Sequence, residues 1–232
     1  MNKPLVCSHQ ECVYSVPIFG DLQKEQMAEV KKVIQDISFE KGETVYHAED
    51  ISDALYIVNK GSVKIYRLSE TGKEQLIRIL SPGEFTGELA LFHDVTSKHG
   101  AYAEALMSSS ICKINRKDLQ ELLLSYPSIS LKILTEFSNR LENSEKQATS
   151  FATEKTDTRI ALFLAELVEQ SNSDGDSFVV RIPMSRKDLA SYLGTTPETI
   201  SRQFKNFEDQ GLIKQEENNK ISILKLDDLL LV

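Results

Sequence analysis

The spacing of apolar residues changes along this chain, and each change predicts a different kind of element. Over residues 21–35, Leu22, Met27, Val30, Val33 and Ile34 fall on one side of an amphipathic helix. From about residue 36 to 114 the period shortens to that of strands. Thr44-Val45-Tyr46, Leu55 to Val58, Ser62 to Leu68, Glu74 to Leu80, Ala101 to Leu106 and Ser110 to Ile114 are β-branched, aromatic or alternating. Lys41-Gly42-Glu43, Asn59-Lys60-Gly61, Glu70-Thr71-Gly72 and Ser81-Pro82-Gly83 supply turns between them. Many short strands at close spacing predict a sandwich or a small barrel. A helical pattern resumes at Asp118 to Tyr126, is broken by Pro127, and continues as one long helix from Ser128 to Ala152. On that helix Leu134, Phe137, Leu141, Ser144, Ala148 and Phe151 alternate at spacings of three and four, a heptad seam. The seam predicts a dimer along this helix; packing against the chain's own β region is the alternative.

Thr156 to Gln170 is a further helix with Ile160, Phe163, Leu164 and Leu167 inward. The polar loop Ser171-Asn172-Ser173-Asp174-Gly175-Asp176 leads to a strand at Phe178 to Ile182. Two short helices then flank Gly194-Thr195-Thr196. Ser185 is placed to cap the first, with Asp188 three residues on, and Gly194 to end it. Thr196 as cap, Pro197 at the first position and Glu198 in the first turn suit the start of the second. Ile200, Phe204 and Phe207 face inward. Glu198, Ser201, Arg202 and Lys205 recur at helical spacing on another side, polar and carrying two cations. Such a helix-turn-helix presents its second helix to a DNA major groove; a helical hairpin that binds nothing has the same pattern. Leu212-Ile213-Lys214 and Ile221-Ser222-Ile223 alternate around Asn218-Asn219, a hairpin signal that adds a wing.

A length of 232 residues fits one large or two medium domains, and 41% hydrophobic content suffices for ordinary cores. The net charge of −8 argues against indiscriminate nucleic-acid binding. Between Arg181 and Lys205, however, five cations stand against two anions, enough local charge for specific duplex contact. Arg186, Lys187 and Lys205 are candidate phosphate contacts. No apolar run is long enough for a membrane span, and the start, MNKPLVCSHQEC, has no apolar signal region, so the expected location is cytoplasmic. Paired acid/base groups, nucleophile motifs and a phosphate loop are absent from the sequence, and His47, His93 and His99 are scattered, so an enzyme is not expected. Cys7, Cys12 and Cys112 do not make a disulfide framework. They are inert thiols, metal ligands or redox groups, with His9 between the first two as a further candidate ligand.

In this order, β-barrel, dimer-type helix and winged helix-turn-helix resemble the Crp/Fnr superfamily of bacterial transcription regulators, over nearly the whole chain. Gly87-Glu88-Leu89 matches the start of that family's phosphate-binding cassette, and Glu198-Thr199-Ile200-Ser201-Arg202 looks like the recognition-helix motif of its Fnr branch. The resemblance implies an α+β protein. A cyclic-nucleotide-binding-type jelly-roll barrel would cover residues 1–127, a dimerisation helix 128–152 and the winged helix-turn-helix 153–232. It implies a homodimer on double-stranded DNA, with RNA polymerase as a further partner. Glu198, Ser201 and Arg202 would read base edges in a half-site like TTGAT, with Thr196 beside them. Glutamate accepts from cytosine and arginine forks onto guanine. Gly87, Glu88, Leu89 and His99 would line the effector pocket. Cyclic AMP is not expected in it. The cyclic-AMP-binding members place an Arg-Ser or Arg-Thr pair where this chain reads Lys98-His99-Gly100, and neither lysine nor histidine reproduces the arginine fork on a phosphate. Fnr-type oxygen sensors hold an iron–sulfur cluster on N-terminal cysteines and one barrel cysteine. Cys112 matches the latter, but Cys7 and Cys12 leave a four-thiolate cluster one ligand short. The Fnr-like (Flp) proteins of Gram-positive lactic bacteria are a nearer resemblance. It implies a thiol–disulfide switch between an N-terminal cysteine and Cys112; zinc on Cys7, His9, Cys12 and Cys112 is the rival, and inert thiols the alternative to both.

Overall fold

The computed structural model describes residues 16–88, 96–170 and 178–232. The chain divides into two compact units, one ending at Arg140 and the other beginning at Leu141. In the first, a short 3-10 turn (Pro17–Phe19) and helix α1 (Lys24–Val33) precede strands β1 (Ile34–Phe39), β2 (Thr44–Tyr46), β3 (Ala54–Lys60), β4 (Val63–Leu68), β5 (Glu74–Leu80), β6 (Phe85–Thr86), β7 (Tyr102–Ala105) and β8 (Ser109–Asn115). Helix α2 (Arg116–Ser125) follows, then the long helix α3 (Pro127–Thr153). The strands make two antiparallel four-stranded sheets, β1-β8-β3-β6 and β2-β7-β4-β5. They are jelly-roll-like and, among the described residues, do not close into a continuous barrel.

Two apolar layers explain this arrangement. Tyr46, Tyr56, Val58, Val63, Ile65, Leu80, Ala103 and Ile111, drawn from both sheets, form one core. Leu55, Ile57, Cys112 and Ile114 point the other way. They pack with Met27 and Val30 of α1, Leu119 and Leu122 of α2, and Ile129 and Ile133 of α3. Strand side chains alternate between faces, so β3, buried on both, reads as a continuous apolar run from Ala54 to Val58.

One expectation is corrected here. The first helix ends at Val33, and Ile34 begins a strand. Among the described residues strand β1 pairs only with β8 and is half-exposed along its length, so its alternation is weak and its first apolar residue merges with the helical pattern. The long helix expected over residues 128–152 runs from Pro127 to Thr153. Ile129 and Ile133 on its first half are sealed in the core of the first unit, and the division falls inside the helix. Phe137, expected on the dimer seam, is half-buried. It packs against the same core, its ring 6.3 Å from that of Phe85.

The second unit contains the rest of α3, helix α4 (Thr156–Gln170), β9 (Phe178–Arg181), α5 (Arg186–Tyr192), α6 (Pro197–Asp209), β10 (Ile213–Gln215), β11 (Lys220–Ile223) and the short α7 (Leu226–Leu229). Strands β10-β11-β9 form one antiparallel sheet. Ile160 and Leu164 of α4, Leu189 of α5, Ile200, Phe204 and Phe207 of α6, and Ile221 and Ile223 of β11 are buried. On the second half of α3, Leu141, Ser144 and Ala148 are exposed.

Candidate nucleic-acid interface and sensor interior

Both helices of the helix-turn-helix are started by the caps read in the sequence. Ser185 Oγ accepts the Asp188 backbone N–H at 3.1 Å, and Thr196 Oγ1 accepts that of Thr199 at 3.3 Å. These bonds satisfy amide donors that the first turn leaves without partners. Gly194 turns between the helices at a φ of 65°, where an L side chain is disfavoured. Ile200, Phe204 and Phe207 are completely buried, so their burial fixes the rotation of α6. Glu198, Ser201, Arg202 and Lys205 are therefore exposed on its other side. Arg202 and Lys205 make no ion pair among the described residues. Glu198 lies below the usual carboxylate range because its own backbone N–H and the Thr196 hydroxyl donate to it. It is thus held as an ionised acceptor at the start of the helix. Ser201 Oγ donates back to the Pro197 carbonyl at 2.9 Å, leaving its lone pairs to accept. Lys187 is exposed on α5.

Arg186, expected as a phosphate contact, is half-buried. Its guanidinium carbon lies 3.9 Å from the centre of the Phe204 ring, and its Nη2 donates to Gln215 Oε1 at 3.0 Å. The physical reason is position: the first residue of α5 sits over the buried side of α6, not over its outward face. The wing ends in a tight turn with Asn218 and Asn219 at φ of 60° and 59°, the left-handed pair of a type I′ hairpin. Asn219 Nδ2 also donates to the Met184 carbonyl at 3.2 Å.

In the first unit, the expected effector residues take distinct places. Gly87 has a φ of 83°, and a Cβ there would lie 2.3 Å from the Ala54 carbonyl oxygen. Only glycine fits. Leu89 lies outside the described residues. Glu88 Oε1 accepts from Arg78 Nη2 at 2.8 Å and from Arg140 Nη1 at 3.1 Å. Burial pushes the Glu88 carboxyl up, but Arg78 and Arg140 more than offset it and hold it below the usual range. Arg140 also donates to Glu136 at 3.0 Å and, through Nη2, to the Phe85 carbonyl at 2.7 Å. His99 is buried and stacks on Tyr46 with ring centres 3.7 Å apart; burial lowers its pKa. Tyr46 Oη shares a 2.6 Å hydrogen bond with Thr86 Oγ1, and burial pushes the phenol up to about 12. Lys98 instead pairs with Glu49 at 3.1 Å on the surface. Lys98 and His99 themselves bring no guanidinium to this stretch, and Glu88 is held by Arg78 and Arg140.

Cys112 is fully buried on the helix side of β8. Its sulfur is disulfide-bonded and stands 3.4 Å from Asp36 Oδ1 across the β1–β8 pair. Cys7, His9 and Cys12 lie outside the described residues. Among the described residues no group of three or more histidine, cysteine or carboxylate side chains is placed to hold a metal.

Comparison with known proteins decides the class. Residues 36–126 match the cyclic nucleotide-binding domain, and residues 158–231 match the Crp-like helix-turn-helix domain. The chain is 34% identical to a probable transcriptional regulator, flp, of Lacticaseibacillus casei, across 94% of this chain and 96% of that protein. The chain belongs to the Crp/Fnr family. It is a DNA-binding transcription regulator of that family, which is not a family of enzymes. Another relative, the cAMP-activated global transcriptional regulator CRP of Haemophilus influenzae, is 32% identical over 73% of this chain and 75% of its own. The solved structure of FixK2 from Bradyrhizobium japonicum superimposes with a TM-score of 0.73 at 25% identity, covering 85% of this chain and 96% of that one. No described helix of this Crp/Fnr member is long and apolar enough to cross a membrane.

Sequence reading missed Arg78, Arg140, Glu208, Gln215 and Asp36. Two of these carried a signal. Arg78 shares its strand parity with the buried Leu76 and Leu80, and Arg140 continues the inward spacing of Ile133 and Phe137. A cation on an inward-facing position demands a buried partner.

Proposed function

We propose that the protein is a cytoplasmic homodimer that reads a near-palindromic Fnr-type site, one half-site per recognition helix. One observation carries this reading. Helix α6 buries Ile200, Phe204 and Phe207 completely and thereby turns Glu198, Ser201, Arg202 and Lys205 outward. Arg202 forks onto guanine, Glu198 accepts from the paired strand's cytosine, Ser201 and Thr196 add local contacts, and Lys205 and Lys187 hold phosphates. Leu134, Leu141 and Ala148 recur at seven-residue spacing and are all exposed, which supports a dimer along α3. RNA polymerase is the further partner that a regulator of this class engages. In a binding assay with base-substituted operators, Arg202→Ala lowers discrimination at the guanine by about 1–3 kcal/mol. Unchanged discrimination sinks the assignment.

The control we favour is thiol–disulfide exchange at Cys112. A dithiol reductant would deliver two electrons and two protons and leave two thiols, the reductant becoming a disulfide. Support comes from the disulfide-bonded sulfur and from Asp36, 3.4 Å away, which is placed to accept the proton of the reduced thiol. A four-thiolate cluster lacks ligands, since the chain has three cysteines. A small effector in the β-sheet interior is a second reading. It is favoured by Arg78 Nε, Glu88 Oε2 and His99 Nε2, buried atoms without hydrogen-bond partners. Operator affinity measured on one preparation, oxidised and reduced, tests the switch, and equal affinity in both states rejects it.

A further inference from the structure

The cation that opens α5 packs against the protein itself. Arg186 is stacked on Phe204 from the buried side of the recognition helix. Its Nη2 donates to the Gln215 amide oxygen at 3.0 Å, and its Nη1 is buried without a hydrogen-bond partner. Gln215 ends β10 of the wing. It donates to Glu208 on α6 twice, through its backbone N–H at 2.8 Å and its Nε2 at 3.0 Å. One continuous chain of contacts thus runs from α5 through the wing to the last turn of α6 and back, by the ring of Phe204, to its middle. A planar guanidinium suits both ends of this chain, since it stacks on an aromatic face while its edge donates to an amide.

We propose that Arg186 is a positioning residue for DNA reading: with Gln215 and Glu208 it fixes recognition helix α6 against α5 and the wing. It acts on sequence discrimination through the placement of Glu198 and Arg202, not through charge on the phosphates. The proposal rests on the reading of α6 as the base-contacting helix. It makes an uncharged residue of the wing, Gln215, as important for specificity as a basic residue.

The test compares Arg186→Lys, Arg186→Gln, Gln215→Ala and Arg202→Ala in the full chain. Operator and non-operator DNA are titrated at several salt concentrations, and folding is checked by circular dichroism. As a positioning residue, Arg186→Lys keeps the charge but lowers the ratio of operator to non-operator affinity by about tenfold. Gln215→Ala, which removes no charge, acts in the same direction. Arg186→Gln lowers that ratio with the salt slope unchanged. The proposal is overturned if Arg186→Lys and Gln215→Ala both bind like the parent. It is also overturned if Arg186→Gln weakens both DNAs equally and reduces the salt slope by about one, the signature of a lost phosphate contact. Should an Arg186 variant fail to fold, Gln215→Ala alone decides. Arg202→Ala separates the two layers of the argument. If it leaves discrimination intact, the reading of α6 fails; if it abolishes discrimination while the other variants do not, only the positioning role fails.

Discussion

Replacing Arg140 with methionine tests how the first unit is held closed. The side chains of Arg140 and Glu88 are 16% and 20% exposed, so little solvent is available to replace a lost partner. Arg140→Met removes one of the two guanidinium bonds to Glu88, the bond to Glu136 and the bond to the Phe85 carbonyl. Breaking a buried pair by deleting one member costs about 3–5 kcal/mol. Arg78 remains on Glu88 and methionine keeps contact with Phe85, so a loss of roughly 2–3 kcal/mol is expected at pH 7. Scanning calorimetry should show the transition of this unit lowered by roughly 6–10 °C.

The pH dependence gives an independent check. Glu88 has a depressed folded pKa, so its pairing contributes stability above its unfolded pKa and loses it as pH falls through the folded value. The gap between parent and Arg140→Met should therefore narrow as the pH is brought from 7 to below 4. Glu88→Gln with Arg140→Met should cost less than the sum of the two single changes. A loss under about 0.5 kcal/mol, or a gap that does not move with pH, would refute the reasoning.

Two other outcomes follow from the same geometry. Gly87→Ala places a Cβ against the Ala54 carbonyl at a left-handed backbone position and should destabilise by more than about 3 kcal/mol, read as loss of the first calorimetric transition. An unshifted transition would show that this backbone can relax. Leu141→Glu and Phe137→Ala should separate association from folding. The first puts a charge on the exposed face of α3 and should yield monomers in sedimentation with the unit's melting unchanged; the second opens the core near Phe85 and should lower stability by about 2–3 kcal/mol without altering association. The opposite pattern would place Phe137 on the dimer seam.

The legible parts of the sequence were those where one local rule dominates. Glu74 to Leu80, bounded by turn signals at Gly72 and Gly83, forms the strand expected over those residues, and Ser185, Thr196 and Gly194 fix the helix-turn-helix through caps and a turn. The illegible parts depend on contacts distant along the chain. Nothing near Arg186 in the sequence says that Gln215, twenty-nine residues away, will accept its hydrogen bond. Likewise Phe137 fits a heptad as well as a core position, and its contact with Phe85, brought over by β6, is invisible in the local pattern. Strand β1 was hidden because an edge strand with one neighbour needs little apolar surface.

Strand β8 carries one further consequence. Ile111 faces the layer between the sheets and Cys112, the next residue, faces the helices. A displacement of that single strand is shared by both layers, since a packed interior yields in steps and not by local softening. Sulfur chemistry on one side and any ligand in the interior on the other would then act on a common equilibrium. By linkage, each would have to change the free energy of the other by the same amount.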